Sequence, residues 1–345
     1  MNPNQKTVTK TITLAHGSGG SAMQKLIDQL FIKAFASPFL EAREDQARLP
    51  LQELAAQGDR LAFTTDSYVI DPIFFPGGDI GKIAVCGTIN DLLVGGAIPK
   101  YLSCACILEE GLPFETLETI VNSIATTAKA ASIQIVTGDT KVVPHGAADK
   151  IFINTSGIGV IPSNLKWGID AIQPGDKIIV SGTLGDHGAT ILNLRENLGL
   201  AADDLQSDCA VLAPLIDALR QIPGVHALRD ATRGGVNAVM HEYAQGSGCG
   251  MMLMEQALPL KPTVRGVCEL LGLDPLNFAN EGKLIIVVAP EAEQPVLDAL
   301  HATELGRNAT TIGEVNDGKR VTLKGLYGVE RILDLPQNEP LPRIC

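Results

Sequence analysis

Aromatic residues are scarce, at 4 % of the 345 residues. No apolar run approaches the roughly 18 residues a membrane helix needs, so no bilayer span is expected. There is no basic patch either. Lys and Arg are scattered, the formal net charge is −12, and a nucleic-acid binder would carry a clustered positive face. The acidic balance reads as a solubility feature. Residues 1–13 lack the apolar stretch of a signal peptide. The seven cysteines are an odd, sparse set, which points to reduced thiols in the cytoplasm. No second cysteine or histidine pair completes a zinc set around Cys104 and Cys106, so these read as core residues. A Walker-type loop, GxxxxGK followed by Ser or Thr, is absent. Any nucleotide site must therefore belong to another class.

What is present is a globular balance, 45 % hydrophobic and 19 % charged, with 35 glycines. The length suggests about two domains of roughly 150 residues each. Period-two and period-3.6 patterns predict strands at 61–66, 99–108, 133–137, 151–161 and 177–181. They predict helices at 80–95 and 113–131, with TGDTK (137–141) as a glycine turn after its strand. Beyond the breakers Pro162, Asn164, Gly168 and Pro174, helices are expected at 187–198, 208–221, 234–246, 262–271 and 291–301. Strands are expected at 251–254, 283–289, 309–315 and 320–323. The fold class is α+β, with domains at 1–165 and 166–332. Residues 333–345, LDLPQNEPLPRIC, have three prolines and no periodicity. They read as an extended, mobile tether that reaches roughly 40 Å and carries Cys345 exposed at its end. Arg343, two residues away, would favour its thiolate.

Several motifs carry candidate chemistry, each with a plainer alternative. His16, Gly17, Ser18, Gly19 and Gly20 precede a helix from Ser21 to about Phe31. Such a loop can point N–H groups at an anion, or be only a flexible turn. Asp66, Asp91, Asp139 and Asp230 each close an apolar stretch or flank a glycine turn. One such aspartate is usually a cap or turn residue, but a set of four suits Mg2+, which takes one or two carboxylates plus phosphate oxygens. Lys141, beside Asp139, can hold a phosphoryl oxygen or make a surface ion pair. Arg233 with Gly234 and Gly235 is a second cationic, glycine-flanked element. Glu281, between Asn280 and Gly282 at a strand entrance, is a candidate general base or an ordinary turn acid.

Taken in order, HGSGG, TTDSYV, GTINDLLVGGA, TGDTKVV, LRDATRGGV, NEGKL and the final PRIC resemble the HypE family of hydrogenase-maturation proteins. That family lies within the superfamily of aminoimidazole ribonucleotide synthetase and selenophosphate synthetase. The resemblance covers essentially the whole chain. It implies two mixed α/β domains and a homodimer whose N-terminal domains pair their sheets into a β-barrel-like core. It implies ATP held by His16 to Gly20, Asp66, Asn90, Asp91, Gly138, Asp139, Lys141, Asp230, Arg233 and Gly234, with Mg2+ on Asp66, Asp91, Asp139 and Asp230. The implied catalytic residues are Cys345, Glu281, Lys141 and His16. The implied activity is ATP-dependent dehydration of a carboxamide on Cys345 to a thiocyanate, the cyanide source for NiFe-hydrogenase iron. The implied partners are the carbamoyltransferase HypF and the HypC–HypD complex. A small-molecule synthetase or kinase of the same superfamily would have no use for the terminal cysteine. A scaffold that merely presents the tail would not need the acids.

Overall fold

The computed structural model describes residues 10–200, 205–336 and 341–345. The amino-terminal part packs short helices α1 (Ser21–Leu26), α2 (Lys33–Phe35), α3 (Pro38–Glu41) and α4 (Leu51–Ala55) around a sheet. The predicted helix after the glycine loop does run on from α1, but as a π-helical turn over Ile27–Ile32. The strands are β1 (Arg60–Tyr68), the short pair β2 (Phe74–Phe75) and β3 (Gly78–Asp79), β4 (Ile98–Glu109), β5 (Gln134–Val143) and β6 (Ile151–Ile161). The main sheet has the order β1-β6-β4-β5 and does not close on itself.

One face of this sheet is covered by α5 (Ile80–Val94) and α6 (Phe114–Ala130). Helix α6 is amphipathic, burying Leu117, Ile120, Val121, Ile124 and Ala128 at helical spacing. Helix α5 is buried along nearly its whole length. Asp79 caps it, accepting from the Gly81 and Lys82 amides at 2.7 and 3.1 Å. Among the described residues the other face carries no long helix, and the short α3 reaches its β4–β5 edge, where Phe39 packs edge-on against Tyr101. Leu61, Phe63 and Ile107 stand exposed there, in register with Val160, Ile158 and Phe152.

After residues 162–176 the chain builds a seven-stranded sheet. Its strands are β7 (Lys177–Val180), β8 (Val225–Asp230), β9 (Gly250–Met254), β10 (Leu284–Val288), β11 (Thr310–Asn316), β12 (Val321–Lys324) and β13 (Glu330–Ile332), in the order β13-β12-β9-β11-β7-β10-β8. Helices α7 (Asp186–Arg195), α8 (Ala213–Leu219), α9 (Gly235–Ser247), α10 (Pro262–Leu271) and α11 (Glu293–His301) pack against it. The mixed α+β architecture agrees with the sequence reading. Strand β8 was not foreseen, since its six residues mix Val, Ala and Leu with His226 and Arg229.

TGDTK is the clear departure. It is not a turn but the middle of β5, paired in parallel with β4. Its glycine is needed for close approach rather than reversal: a Cβ on Gly138 would lie 2.3 Å from the Cys104 carbonyl oxygen.

Candidate functional site

The sequence-selected residues fall into two groups, on opposite faces of the amino-terminal sheet. The first lies where that sheet meets the second domain. Asp66 is on the α5 side of β1, between Thr64 and Tyr68. The Thr64 hydroxyl donates to Asp91 on α5 at 2.8 Å, and the Tyr68 hydroxyl donates to Asp66 at 3.3 Å. Strand β8 reaches α5 and ends at Asp230. Its register partner Leu284 opens β10, so the turn before β10 brings Glu281 alongside.

That turn is held by Asp208. Its carboxylate accepts from the amides of Glu281 at 3.0 Å and Gly282 at 3.2 Å, and from the Lys283 ammonium at 3.0 Å. A Cβ on Gly282 would meet the Asp208 carbonyl oxygen at 1.9 Å, so only glycine fits there.

The electrostatics are those of acids crowded together. Burial pushes the Asp66 and Asp91 carboxyls above their usual range, and for Asp91 the charge of Asp66 adds to it. Asp230 rises to about 7, through burial and then the Asp91 charge. Glu281 is pushed well above the usual carboxylate range by burial, then by Asp208 and Asp230. Its buried Oε1 has no hydrogen-bond partner. Arg233 opposes the shift at Asp66, and Arg229 opposes it at Asp91 and Asp230. Among the described residues no three His, Cys, Asp or Glu side chains stand in an arrangement that would hold an ion unaided. Mutually repelling carboxyls gathered in this way are nonetheless a donor set a divalent cation bridging phosphates would suit.

The tail enters this group. Residues 341–345 are docked rather than free. The Val69 amide donates to the Cys345 carbonyl at 3.0 Å and the Asp71 amide to the Arg343 carbonyl at 3.4 Å. Leu341 and Ile344 are buried in the main core. The expectation of an exposed thiol with a lowered pKa is therefore corrected. Burial, then the Glu281 charge, pushes the Cys345 thiol up to about 12, while Arg233, hydrogen-bonded to it, pulls the other way. Arg343 does not face the thiol. Its guanidinium donates to the Val69 carbonyl at 2.9 Å and pairs with Asp149 at 2.9 Å.

The second group gathers at the β5 edge, on the uncovered face. Asp139 and Lys141 pair with Ala105 and Ile107 of β4 in register. The Lys141 ammonium lies 2.7 Å from Asp139, which holds that carboxyl below its usual range. The loop from His16 to Gly20 packs here: a Cβ on Gly17 would lie 2.8 Å from the Val142 amide nitrogen. The His16 ring accepts from the Thr13 amide at 3.0 Å. A cavity of about 380 Å3 opens beside this edge, lined by Met23, Phe31, Ile135, Thr137 and Asp139 among others. Asp139 is thus not brought to Asp66, Asp91 and Asp230 within one chain. It lies three strands away, roughly 14 Å at ordinary strand spacing, and points to the other side.

Asn90 has a structural occupation. Its amide donates to the Ala210 carbonyl at 3.0 Å and accepts from the Leu212 amide at 2.8 Å, tying α5 to the 205–212 segment. Gly234, at φ +78°, opens α9 just after Arg233. Sequence reasoning missed Asp208, Lys283, His187 and Arg195. Lys283, in the same short motif as Glu281, was the one with a local signal.

Comparisons with known proteins agree with the mixed α+β fold. Two families match: AIR synthase related protein, N-terminal domain, over residues 43–161, and AIR synthase related protein, C-terminal domain, over residues 173–325. Carbamoyl dehydratase HypE of Escherichia coli (strain K12) is 68 % identical over 334 residues, covering 97 % of this chain and 99 % of the relative. A solved structure of hydrogenase maturation protein HypE in complex with ATP superposes with a TM-score of 0.91 at 44 % identity, covering 97 % of this chain and 100 % of that one. A HypE–HypF complex gives a TM-score of 0.78 at 45 % identity, covering 90 % and 99 %.

Proposed function

The chain belongs to the HypE family of carbamoyl dehydratases, within the AIR-synthase-related proteins, and from that premise we propose how its site divides the work. The protein is an ATP-using dehydratase of hydrogenase maturation. Its substrate is a carboxamide carried on Cys345, and its product is the thiocyanate that supplies cyanide to NiFe-hydrogenase iron. The observation that carries this reading is the docked tail, held by the Val69 amide on the Cys345 carbonyl at 3.0 Å, which brings the thiol to a hydrogen bond with Arg233 and under the charges of Glu281 and Asp66.

An amide oxygen leaves poorly until it is phosphorylated. The carboxamide oxygen attacks the γ-phosphorus of ATP, ADP departs, and loss of phosphate with both N–H protons leaves S–C≡N. Positioning and charge neutralisation do most of the work in such transfers. Glu281, buried beside the thiol, is placed to accept a proton from the carboxamide nitrogen. Its basicity follows from burial among other acids. Arg233 holds the sulfur end. Asp66, Asp91 and Asp230 would hold Mg2+, which neutralises phosphate charge when bound.

Lys141, His16 and the glycine loop reach the reaction through a homodimer. The uncovered face, with Leu61, Phe63 and Ile107 exposed, pairs with its copy. A second subunit's Gly138 to Lys141 and His16 to Gly20 then complete the phosphate site. Residues 1–165 form the dimerising domain, 166–332 the second domain, and 333–345 the arm that alternates between this site and its partner proteins. HypF loads the arm and the HypC–HypD complex unloads it, in the cytoplasm. No helix among the described residues is long and apolar enough to cross a membrane.

The test is Cys345→Ala. It should bind ATP as the parent does and form no thiocyanate. Thiocyanate formed elsewhere on the chain would overturn the assignment.

A further inference from the structure

The docked tail is gripped by two side chains that the reaction does not use. Both lie on α7, one at each end. Arg195 closes the helix, and its guanidinium donates to three backbone carbonyls: Asp71 at 2.5 Å, Pro342 at 2.6 Å, and Arg343. One cation on the second domain thus joins the amino-terminal domain to the arm. It reads peptide groups, which places the arm by register rather than by side-chain identity. The three bonds leave from three nitrogens of one planar fork, a spread of donors that a point-like ammonium does not match.

His187, at the other end, is fully buried. Its Nε2 lies 2.7 Å from the Ile344 carbonyl and its Nδ1 lies 2.8 Å from the Ser207 hydroxyl. A carbonyl only accepts, so Nε2 carries the hydrogen. Nδ1 then accepts from Ser207, whose oxygen in turn accepts from the Cys209 amide at 3.1 Å. The tautomer is set by this chain of bonds, and His187 presents one fixed donor to the arm. Phe75 packs edge-on against the ring, centroids 5.4 Å apart at 82°, which fixes its plane. Ser207 is the neighbour of Asp208, which holds the Glu281 turn. The segment that orients the latch therefore also presents the general base.

We propose that His187 and Arg195 form a latch for the inward arm, holding the carbonyls of residues 342–344 and so positioning Cys345 beside Glu281. They are positioning residues, and neither touches the carboxamide. The inference about turnover rests on the reading of Cys345 as substrate carrier; the inference about docking does not.

Two readouts separate them. The first is the rate at which iodoacetamide alkylates Cys345 in the full-length protein, followed by peptide mass against the other cysteines. Docking shields the thiol, so Arg195→Met and His187→Leu should speed its alkylation about tenfold or more, the scale of a lost charge-assisted or buried hydrogen bond. His187→Gln keeps a donor near the Nε2 position and should stay close to the parent. The second is single-turnover dehydration of the carbamoylated protein, which should fall by a similar factor while ATP affinity is unchanged. Should His187→Leu fail to fold, Arg195→Met, at the exposed end of the latch, decides the question. Parent-like alkylation in folded Arg195→Met would overturn the latch. Faster alkylation with unchanged dehydration would uphold the latch as a dock for the arm and overturn its part in turnover.

Discussion

Asp66 and Lys141 belong to one four-stranded sheet and stand on its opposite faces and opposite edges. Asp66 faces α5 and the arm, while Lys141 faces away with the glycine loop. If both serve one phosphate site, they come from different chains. Mixing inactive Lys141→Ala and Glu281→Ala subunits should then restore activity, because each mixed dimer has one site with both substitutions and one with neither. Random mixing predicts about a quarter of parental single-turnover amplitude. No recovery, with mixed dimers shown to form, would place both residues in one chain's site.

The acid cluster predicts an unusual pH dependence for the protein without nucleotide or metal. Asp230 has a folded pKa raised from 3.8 to about 7. Its folded form binds the proton more tightly than the unfolded form, so stability falls as pH rises from about 4 to 7. Asp208 works the other way. Its pKa is lowered, with Lys283 the largest of the charges opposing its burial, so the stability it adds is present at neutral pH and lost as pH falls through the carboxylate range. Asp230→Asn should therefore raise stability at pH 8. The full shift sets a limit near 4 kcal/mol, and partial solvent contact lowers the expected gain to about 1–2 kcal/mol. Denaturant melts at pH 5 and pH 8 check this; a variant less stable than the parent at pH 8 would contradict it.

Gly138 gives a packing prediction. An added methyl would meet the Cys104 carbonyl oxygen at 2.3 Å, and backbone cannot step aside as a side-chain tip can. Gly138→Ala should cost about 1–3 kcal/mol and shift Asp139 and Lys141 with the strand. Equilibrium unfolding measures the loss, and a neutral result would mean that β4 and β5 separate easily.

Much of this was legible in the chain. The amphipathic period of α6 and the helix from Pro262 to Leu271 follow from local pattern. So did the nomination of Asp66, Asp91, Asp230 and Glu281, because acids beside glycines at strand ends stand out. The β5 assignment failed because a glycine signals a turn and a close backbone approach equally, and only the Cys104 neighbour distinguishes them. The exposure of Cys345 was misjudged for a related reason. Composition reports that a proline-rich segment is extended, but not that Leu341 and Ile344 find apolar seats or that Arg195 waits for its carbonyls. Asp208 and His187 were invisible, since their roles arise from residues far away in the chain.

Cys345 as the carrier of a carboxamide that becomes a nitrile is the central claim. The direct measurement is intact and peptide mass on the carbamoylated protein after a single turnover with ATP and Mg2+. The prediction is loss of one water per chain, localised to the peptide that ends in Cys345, with one ADP and one phosphate formed. ATP consumption with the carboxamide mass unchanged, or loss of water from any other peptide, would contradict it.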